Sequence, residues 1–351
     1  MTLKDTLIRT AKAAIRGTWQ TPQDFARGIL ADTRAVAADV GAAHGLQGQW
    51  LPLDGNAMLY LFEPFAEAAE ELEHTVASKR RPDLYRVMPF ALSNRTGRQP
   101  LHVTNTPTGS SLKQPFSPVM DGYSPPDYVF PIRNIEVAVS RLDDAFDTLA
   151  EPQLDFIKLD TQGAEADILE GLGAERRSRL FCVESEVNLV GAIPEGTTFA
   201  QLVDLLGPAG LEFFDLRIAR GYRRFSSHAL YRTEFGVGDA PMSIAARAWE
   251  ADVVWFRTPE AVLATGSLHS VRKLVLAYCL YNFFTEAWHL LDRATAHDPT
   301  WRGEVARLRM VVKRWHRYVR SIFPLDRPAL ATLFRRRERW NQYAWLPYPH
   351  S

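Results

Sequence analysis

The apolar run Ala35-Val36-Ala37-Ala38-Asp39-Val40 passes directly into Gly41-Ala42-Ala43-His44-Gly45. A glycine turn immediately after a strand lets the backbone approach a ligand closely and aims helix N–H groups at it. The spacing is D-x-G-x-x-x-G, with Ala42 standing where a dinucleotide fingerprint needs its second glycine. It suits a nucleoside with a small charged tail better than a pyrophosphate. A second apolar run closes on Phe62-Glu63-Pro64. That places a carboxylate about 20 residues beyond the turn, where it can accept both ribose hydroxyls.

Further along the chain, short apolar runs alternate with helical patterns. Strands are expected at Leu59–Phe62, Tyr85–Leu92, Phe156–Leu159, Leu180–Val183, Leu211–Leu216 and Val253–Phe256. Between them, Glu67–Val76, Leu142–Leu149, Ala164–Leu172 and Phe199–Leu206 have helical spacing. Such alternation predicts a mostly parallel α/β sheet covered by helices on both faces, with ligands at the carboxyl ends of the strands. Asn94–Ile135 breaks the rhythm with many Pro, Gly, Ser and Thr, and reads as a lid or substrate loop. Before the sheet, Leu3, Leu7, Ala11, Ala14 and Ile15 predict a short amphipathic helix. After Pro259 the strand signals stop. Leu274–Ala294 and Val305–Ile322 read as helices, and the first carries one unit resembling half a tetratricopeptide repeat, so a helical hairpin packed on the main domain is expected.

Asp39-Val40-Gly41-Ala42, Phe62-Glu63-Pro64, Asp155-Phe156-Ile157-Lys158-Leu159-Asp160-Thr161-Gln162-Gly163-Ala164-Glu165 and Ile168-Leu169-Glu170-Gly171 together resemble the FkbM family of S-adenosylmethionine-dependent methyltransferases. The resemblance runs from about Val36 to Arg257 and is most specific around Asp160. It implies an α/β fold with a Rossmann-like, seven-stranded class I methyltransferase sheet ending in an antiparallel hairpin, here with an α-helical C-terminal extension. It also implies S-adenosyl-L-methionine as cofactor and methyl transfer to a hydroxyl of a surface-glycan sugar or of a polyketide-like metabolite. Two positions depart from the family pattern: Gln162 stands where many members have Glu, and Ser93-Asn94 ends the third strand where an acid is common. The expected organisation is a helical segment over 1–34, the methyltransferase domain over 35–258 and a basic, aromatic-rich helical region over 259–351. Asp39, Gly41, Ala42, His44, Gly45, Glu63, Pro64, Leu92, Ser93 and Ser111 are the expected cofactor-binding residues.

Methyl transfer from a sulfonium is an in-line displacement, so the protein must hold donor and acceptor in near-attack geometry and provide a proton acceptor. Asp160, ending a strand at a turn, is the first candidate. Glu165 opens the next helix, where a helix-dipole role competes with a catalytic one. Glu184 and His228 complete the catalytic candidates, while His44 either shapes the glycine turn or serves as base. Ser110 and Ser111 sit where the loop meets the site. No HExxH, paired CxxC or EF-hand pattern asks for a metal.

Composition narrows the classes. The 351 residues are 46% hydrophobic and 23% charged, ordinary for a globular chain. Two cysteines, Cys182 and Cys279, make no disulfide framework and suit a reducing cytosol. The longest uncharged apolar run, Leu274–Thr285, is too short to span a bilayer, and the N-terminus lacks a secretory h-region. A cytoplasmic protein is expected. The zero net charge hides a segregation: residues 301–351 carry twelve Lys/Arg against three acids, leaving the remainder at −9. The stripe Val305, Leu308, Val312, Trp315, Val319 and Ile322 either packs on the domain, its arginines pairing with that excess, or adsorbs to anionic membrane at the inner face. No nucleic-acid partner is expected; a small-molecule or glycan acceptor is, and an oligomer stays open. The rival from another class is an interaction module on a decayed methyltransferase fold, against which Gly41, Gly45, Glu63 and Asp160 argue.

Overall fold

All five residues of the first strand, β1 (Val36–Val40), are buried. That pattern is expected of a parallel strand covered on both faces rather than of one with a solvated side. The computed structural model describes residues 21–43, 45–46, 48–105, 107–114, 123–124, 131–191, 193–223 and 247–322. β1 pairs in parallel with β2 (Met58–Phe62), and β2 in turn with β3 (Tyr85–Met88). After β3 come β4 (Ala91–Leu92), β5 (Gly97–Thr104), β6 (Tyr123–Ser124), β7 (Pro131–Ser140), β8 (Phe156–Leu159), β9 (Cys182–Asn188), β10 (Leu211–Arg223) and β11 (Arg247–Arg257). The main sheet has the order β3-β2-β1-β8-β9-β11-β10, with the two-residue β6 added beside β10. β11 runs antiparallel to both its neighbours. This is the seven-stranded, mostly parallel class I methyltransferase sheet.

β1 leads to β2 on one side while β8 lies on the other, so the topological switch point falls between the carboxyl ends of β1 and β8. One face of the sheet packs against α3 (Leu142–Thr148), α4 (Glu165–Gly171) and α6 (Phe199–Leu206), which follows the short α5 (Gly173–Arg177). The opposite face is covered by α1 (Pro22–Leu30), α2 (Ala66–Ala77) and the C-terminal helices. α1 begins at a capping box in which Thr21 and Asp24 satisfy each other's backbone N–H groups. The amphipathic helix expected from Leu3 to Ile15 lies outside the described residues.

Two expectations are corrected. Asn94–Ile135 is not simply a loop: β5 pairs antiparallel with β7 through the register Gly97↔Val139 to Thr104↔Pro131, forming with β4 a second, three-stranded sheet. β5 is an edge strand, which is why Pro100 is tolerated within it. The helix read over Leu274–Ala294 is two, α8 (Leu268–Leu280) and α9 (Phe284–His297), after the short α7 (Pro259–Leu263). The break centres on Asn282, at φ +67°, a conformation asparagine tolerates better than most residues. α10 (Arg302–Ile322) buries Val305, Leu308, Val312 and Trp315. Trp315 stacks on Phe25 of α1 with ring centroids 4.6 Å apart. Arg307 and Arg309 pair with Glu304 and Asp292 of the helical layer rather than with the sheet.

Candidate active site

The register of the sheet places Asp39 of β1 beside Lys158 of β8, and Lys158 beside Glu184 of β9. Registered neighbours point to the same side, so an acid, a base and an acid lie in one row across three strands. Lys158 Nζ is 3.6 Å from Asp39 Oδ1 and 3.2 Å from Asp160 Oδ2. Burial alone would depress the Lys158 ammonium, but Asp160, Asp39 and Glu184 more than reverse that and hold it above its ordinary value. Asp39 Oδ1 is buried and has no hydrogen-bond partner. Burial pushes its carboxyl up, with Lys158 opposing and Asp160 adding to the rise.

The turn after β1 sits against the turn after β8. Gly41, at φ +83°, has its would-be Cβ only 2.0 Å from the Asp160 carbonyl oxygen, so no other residue fits there. Gly41 N and Ala42 N both donate to Phe62 O. On the β8 side, Glu165 Oε1 accepts from Thr161 N, Thr161 Oγ1 and Gly163 N, each at 3.0 Å. The buried Glu165 thereby ties down its own helix entry. Gln162, at φ +58°, aims its amide at Glu186 Oε2 (2.7 Å) and Asp160 Oδ1 (3.3 Å). Burial and the neighbouring Glu250 and Asp160 carboxylates hold the Glu186 carboxyl well above its ordinary value. For Asp160 burial also works upward, but the Lys158 ammonium and hydrogen bonds from Lys158 and Gln162 outweigh it and keep the carboxyl low. Adjacent acids driven in opposite directions are a common basis of acid–base assignment.

An open cleft of about 720 Å³ lies at the switch point, lined by Asp39, Gly41, Gly45, Glu63, Pro64, Leu92, Ser111, Lys158 and Asp160 among others. Residues 39–210 match the family model described as the methyltransferase FkbM domain. The chain carries an FkbM methyltransferase domain. It is 30% identical over 151 residues to the 2-O-methyltransferase NoeI of Sinorhizobium fredii, a match covering 41% of this chain and 59% of the relative. The chain thus spans less than two thirds of that curated relative. Among solved structures it is similar to the methyltransferase FkbM from Methylobacillus flagellatus (12% identity, TM-score 0.34, 64% of this chain and 44% of that one). It is also similar to the precorrin-6y C5,15-methyltransferase from Geobacter metallireducens (9% identity, TM-score 0.29, 67% and 86%). At those scores the superpositions add nothing to what the strand order already says.

Within the FkbM domain the expected site residues fall into three groups. Asp39, Gly41, Gly45, Glu63, Pro64, Leu92, Ser111 and Asp160 line one cleft. Glu63 Oε1 accepts from Phe65 N at 2.9 Å, which fixes the carboxylate at the end of β2. Ala42, Ser93, Glu165 and Glu184 are buried and not among the cleft-lining residues. Ala42 is part of the core, and Ser93 Oγ accepts from Gln99 Nε2 at 2.9 Å. Glu184 accepts from Gln49 Nε2, from Trp50 Nε1 at 3.1 Å and from the Tyr281 hydroxyl at 2.6 Å. Ser111 lines the cleft, but its hydroxyl donates to Gln162 O (2.7 Å) and Thr161 O (3.1 Å), clamping the turn. His44 and His228 lie outside the described residues.

Sequence reasoning passed over Lys158 as a site residue, although it was part of the quoted block. A lysine inside a four-residue apolar strand, Phe156-Ile157-Lys158-Leu159, is the signal that could have singled it out. The same reasoning placed Asn94–Ile135 at the site as a lid or substrate loop but did not single out Leu101, Val103 and Thr104 of β5 or Ile132 and Arg133 of β7, which line the cleft. Among the described residues no group of three or more His, Cys, Asp or Glu is placed to hold a metal ion.

Proposed function

We propose that the chain is an S-adenosylmethionine-dependent O-methyltransferase acting on a hydroxyl of a sugar in a cell-surface polysaccharide or glycolipid. The observation that carries this reading is the single cleft at the β1/β8 switch point, lined together by Asp39, Gly41, Gly45, Glu63 and Asp160. The residues fit the cofactor. Gly41 leaves backbone exposed where a side chain would intrude, and Asp39, whose Oδ1 has only the long 3.6 Å contact with Lys158 Nζ, keeps acceptor capacity for a positively charged amine. Glu63 ends β2 where a ribose acceptor belongs. The name of the relative, a 2-O-methyltransferase, supports oxygen as the methylated atom.

S-adenosylmethionine, when bound, supplies an electrophilic methyl group. Gly41, Gly45, Pro64 and Leu92 bound its pocket, with Glu63 and Asp39 as its polar anchors. Asp160 faces the cleft with nearly half of its side chain exposed. Its low pKa makes it a weak base, and a weak base suffices because the hydroxyl proton becomes strongly acidic as its oxygen gains a third bond. Lys158 and Gln162 keep Asp160 ionised and oriented for that proton. Glu165 and Ser111 act through the turn that carries Asp160, and Leu101, Val103 and Ile132 narrow the access of water.

Calorimetric titration with S-adenosylhomocysteine, with NADH in parallel, tests the reading. Micromolar binding of the first, weakened by Glu63→Ala, is expected, followed by transfer of labelled methyl to glycan acceptors. Binding of NADH alone, or of neither, would overturn it.

A further inference from the structure

A second groove, of about 450 Å³, opens beside the cleft, and Leu112 lines both. Its size lies in the range of about 300–1,000 Å³ typical of small-ligand sites. Among the ten described residues that line it, Leu112 is the single apolar side chain, so they offer a polyketide chain or a lipid tail no apolar seat.

The charges of the groove cancel. Lys113 pairs with Asp167 at 2.8 Å, and the charge of the exposed Arg95 is balanced by the opposite charge of the exposed Glu195. A phosphate or a uronate therefore meets no net attractive field. What the groove does offer is unspent hydrogen-bonding capacity of both kinds. Gln99 uses its amide N–H on Ser93 Oγ, which leaves its carbonyl oxygen as an acceptor. His102 Nδ1 lies 2.9 Å from Asn134 Oδ1; with the amide oxygen accepting, the ring keeps Nε2 as an acceptor. Arg95, Gln114 and Glu195 have no side-chain hydrogen-bond or ion-pair partner among the described residues. Donors and acceptors interleaved over a neutral, open surface match vicinal hydroxyls, each of which both donates and accepts.

We propose that this groove is a subsite for a neutral oligosaccharide arm of the acceptor, holding the sugar next to the one whose hydroxyl enters the cleft. The proposal rests on the sugar-methyltransferase reading and narrows its substrate to uncharged glycans longer than one residue. Groove and cleft are held in register by one strip of chain. Ser111 Oγ donates to the turn that follows β8 and accepts from Lys113 N at 2.9 Å, so Ser111 to Gln114 cannot shift without moving the turn bearing Asp160. Among the described residues no Phe, Tyr or Trp lines the groove, so affinity there is expected to come from hydrogen bonds and its loss is read in KM.

The test uses the full chain saturated with S-adenosylhomocysteine on an array of neutral, uronate-bearing and phosphorylated oligosaccharides. Labelled-methyl transfer to a retained trisaccharide is then compared with transfer to its terminal monosaccharide. Neutral trisaccharides are expected to be retained and to exceed the monosaccharide about tenfold or more in kcat/KM. Combined Arg95→Ala, Gln114→Ala and Glu195→Ala should erase that preference through KM. Affinity for S-adenosylhomocysteine and kcat on the monosaccharide should stay unchanged. Retention of charged glycans only, retention of no glycan, or a preference that survives the triple substitution would each overturn the subsite while leaving the methyltransferase reading standing. Failure to bind S-adenosylhomocysteine would instead remove that reading and the subsite with it.

Discussion

Asp39 and Glu184 are carboxylates at opposite ends of one row, each beside Lys158, on one face of one sheet. Glu184 is closed in by Gln49, Trp50 and Tyr281, and Trp50 Nε1 also donates to the Tyr281 hydroxyl at 2.8 Å. Asp39 ends in an oxygen with no hydrogen-bond partner at all, on the wall of the cleft. Burial raises both carboxyls; Lys158 opposes it at both ends, but only Glu184 has hydrogen-bond donors from the helical side as well. A fold built for stability alone would complete both ends. The incomplete end marks where a ligand finishes the structure, and the complete end marks where the helical layer is fastened to the sheet.

The comparison breaks most severely at Gly41. Gly41→Ala drives a Cβ into the Asp160 carbonyl, and a loss of more than about 100-fold in affinity for S-adenosylhomocysteine is expected by calorimetry. Lys158→Met acts on both ends at once by removing the cation from buried acids, a loss of about 3 kcal/mol in denaturant unfolding at neutral pH. It also changes the pH profile. Asp160 is held below its ordinary value, so its stabilising contribution is full above that value and disappears as pH falls through the depressed one. Without Lys158 the acid limb of methyl transfer is expected to move to higher pH.

At the closed end, Tyr281→Phe leaves Glu184 short of a donor. We expect a loss of about 1–3 kcal/mol in stability, with S-adenosylhomocysteine affinity unaltered. A matching loss of affinity would show that the two ends are not independent. The smallest effect is expected from Glu186→Gln. Glu186 has a raised carboxyl, so its favourable contribution to folding exists at low pH and is lost as pH rises toward its folded-state value. Thermal unfolding should show the variant gaining stability relative to the parent at pH 8 more than at pH 4.

Central strands were legible because their burial on both faces writes itself as uninterrupted apolar runs: β1 and β8 emerge within a residue of their bounds. β5 was not, since it is an edge strand with alternating exposure and an internal proline, features shared with loops. α1, nine residues long, was passed over although Thr21-Pro22 and the stripe Phe25, Ala26, Ile29 and Leu30 signal it. In the site, Glu63 and Asp160 could be read from their positions at strand ends. The closure of Glu184 could not, because Trp50 and Tyr281 lie 134 and 97 residues away in sequence and only the fold brings them there.

The helices after Pro259 close over α1. Arg272 of α8 donates to Leu30 O at 3.0 Å, across 242 residues of sequence, and Trp315 of α10 stacks on Phe25. On a ribosome, then, the first described helix meets Leu51 and Asn56 early but finds its C-terminal partners last. The apolar side of β1 and α1 stays only partly covered, by Trp50, Leu53 and their neighbours, until the C-terminal helices have been synthesised. Contacts so far apart in sequence make for slow, late closure and a long interval in which the nascent chain is exposed to aggregation. Expression of this protein is therefore expected to depend on chaperone supply and on slow translation at low temperature more than its finished stability would suggest.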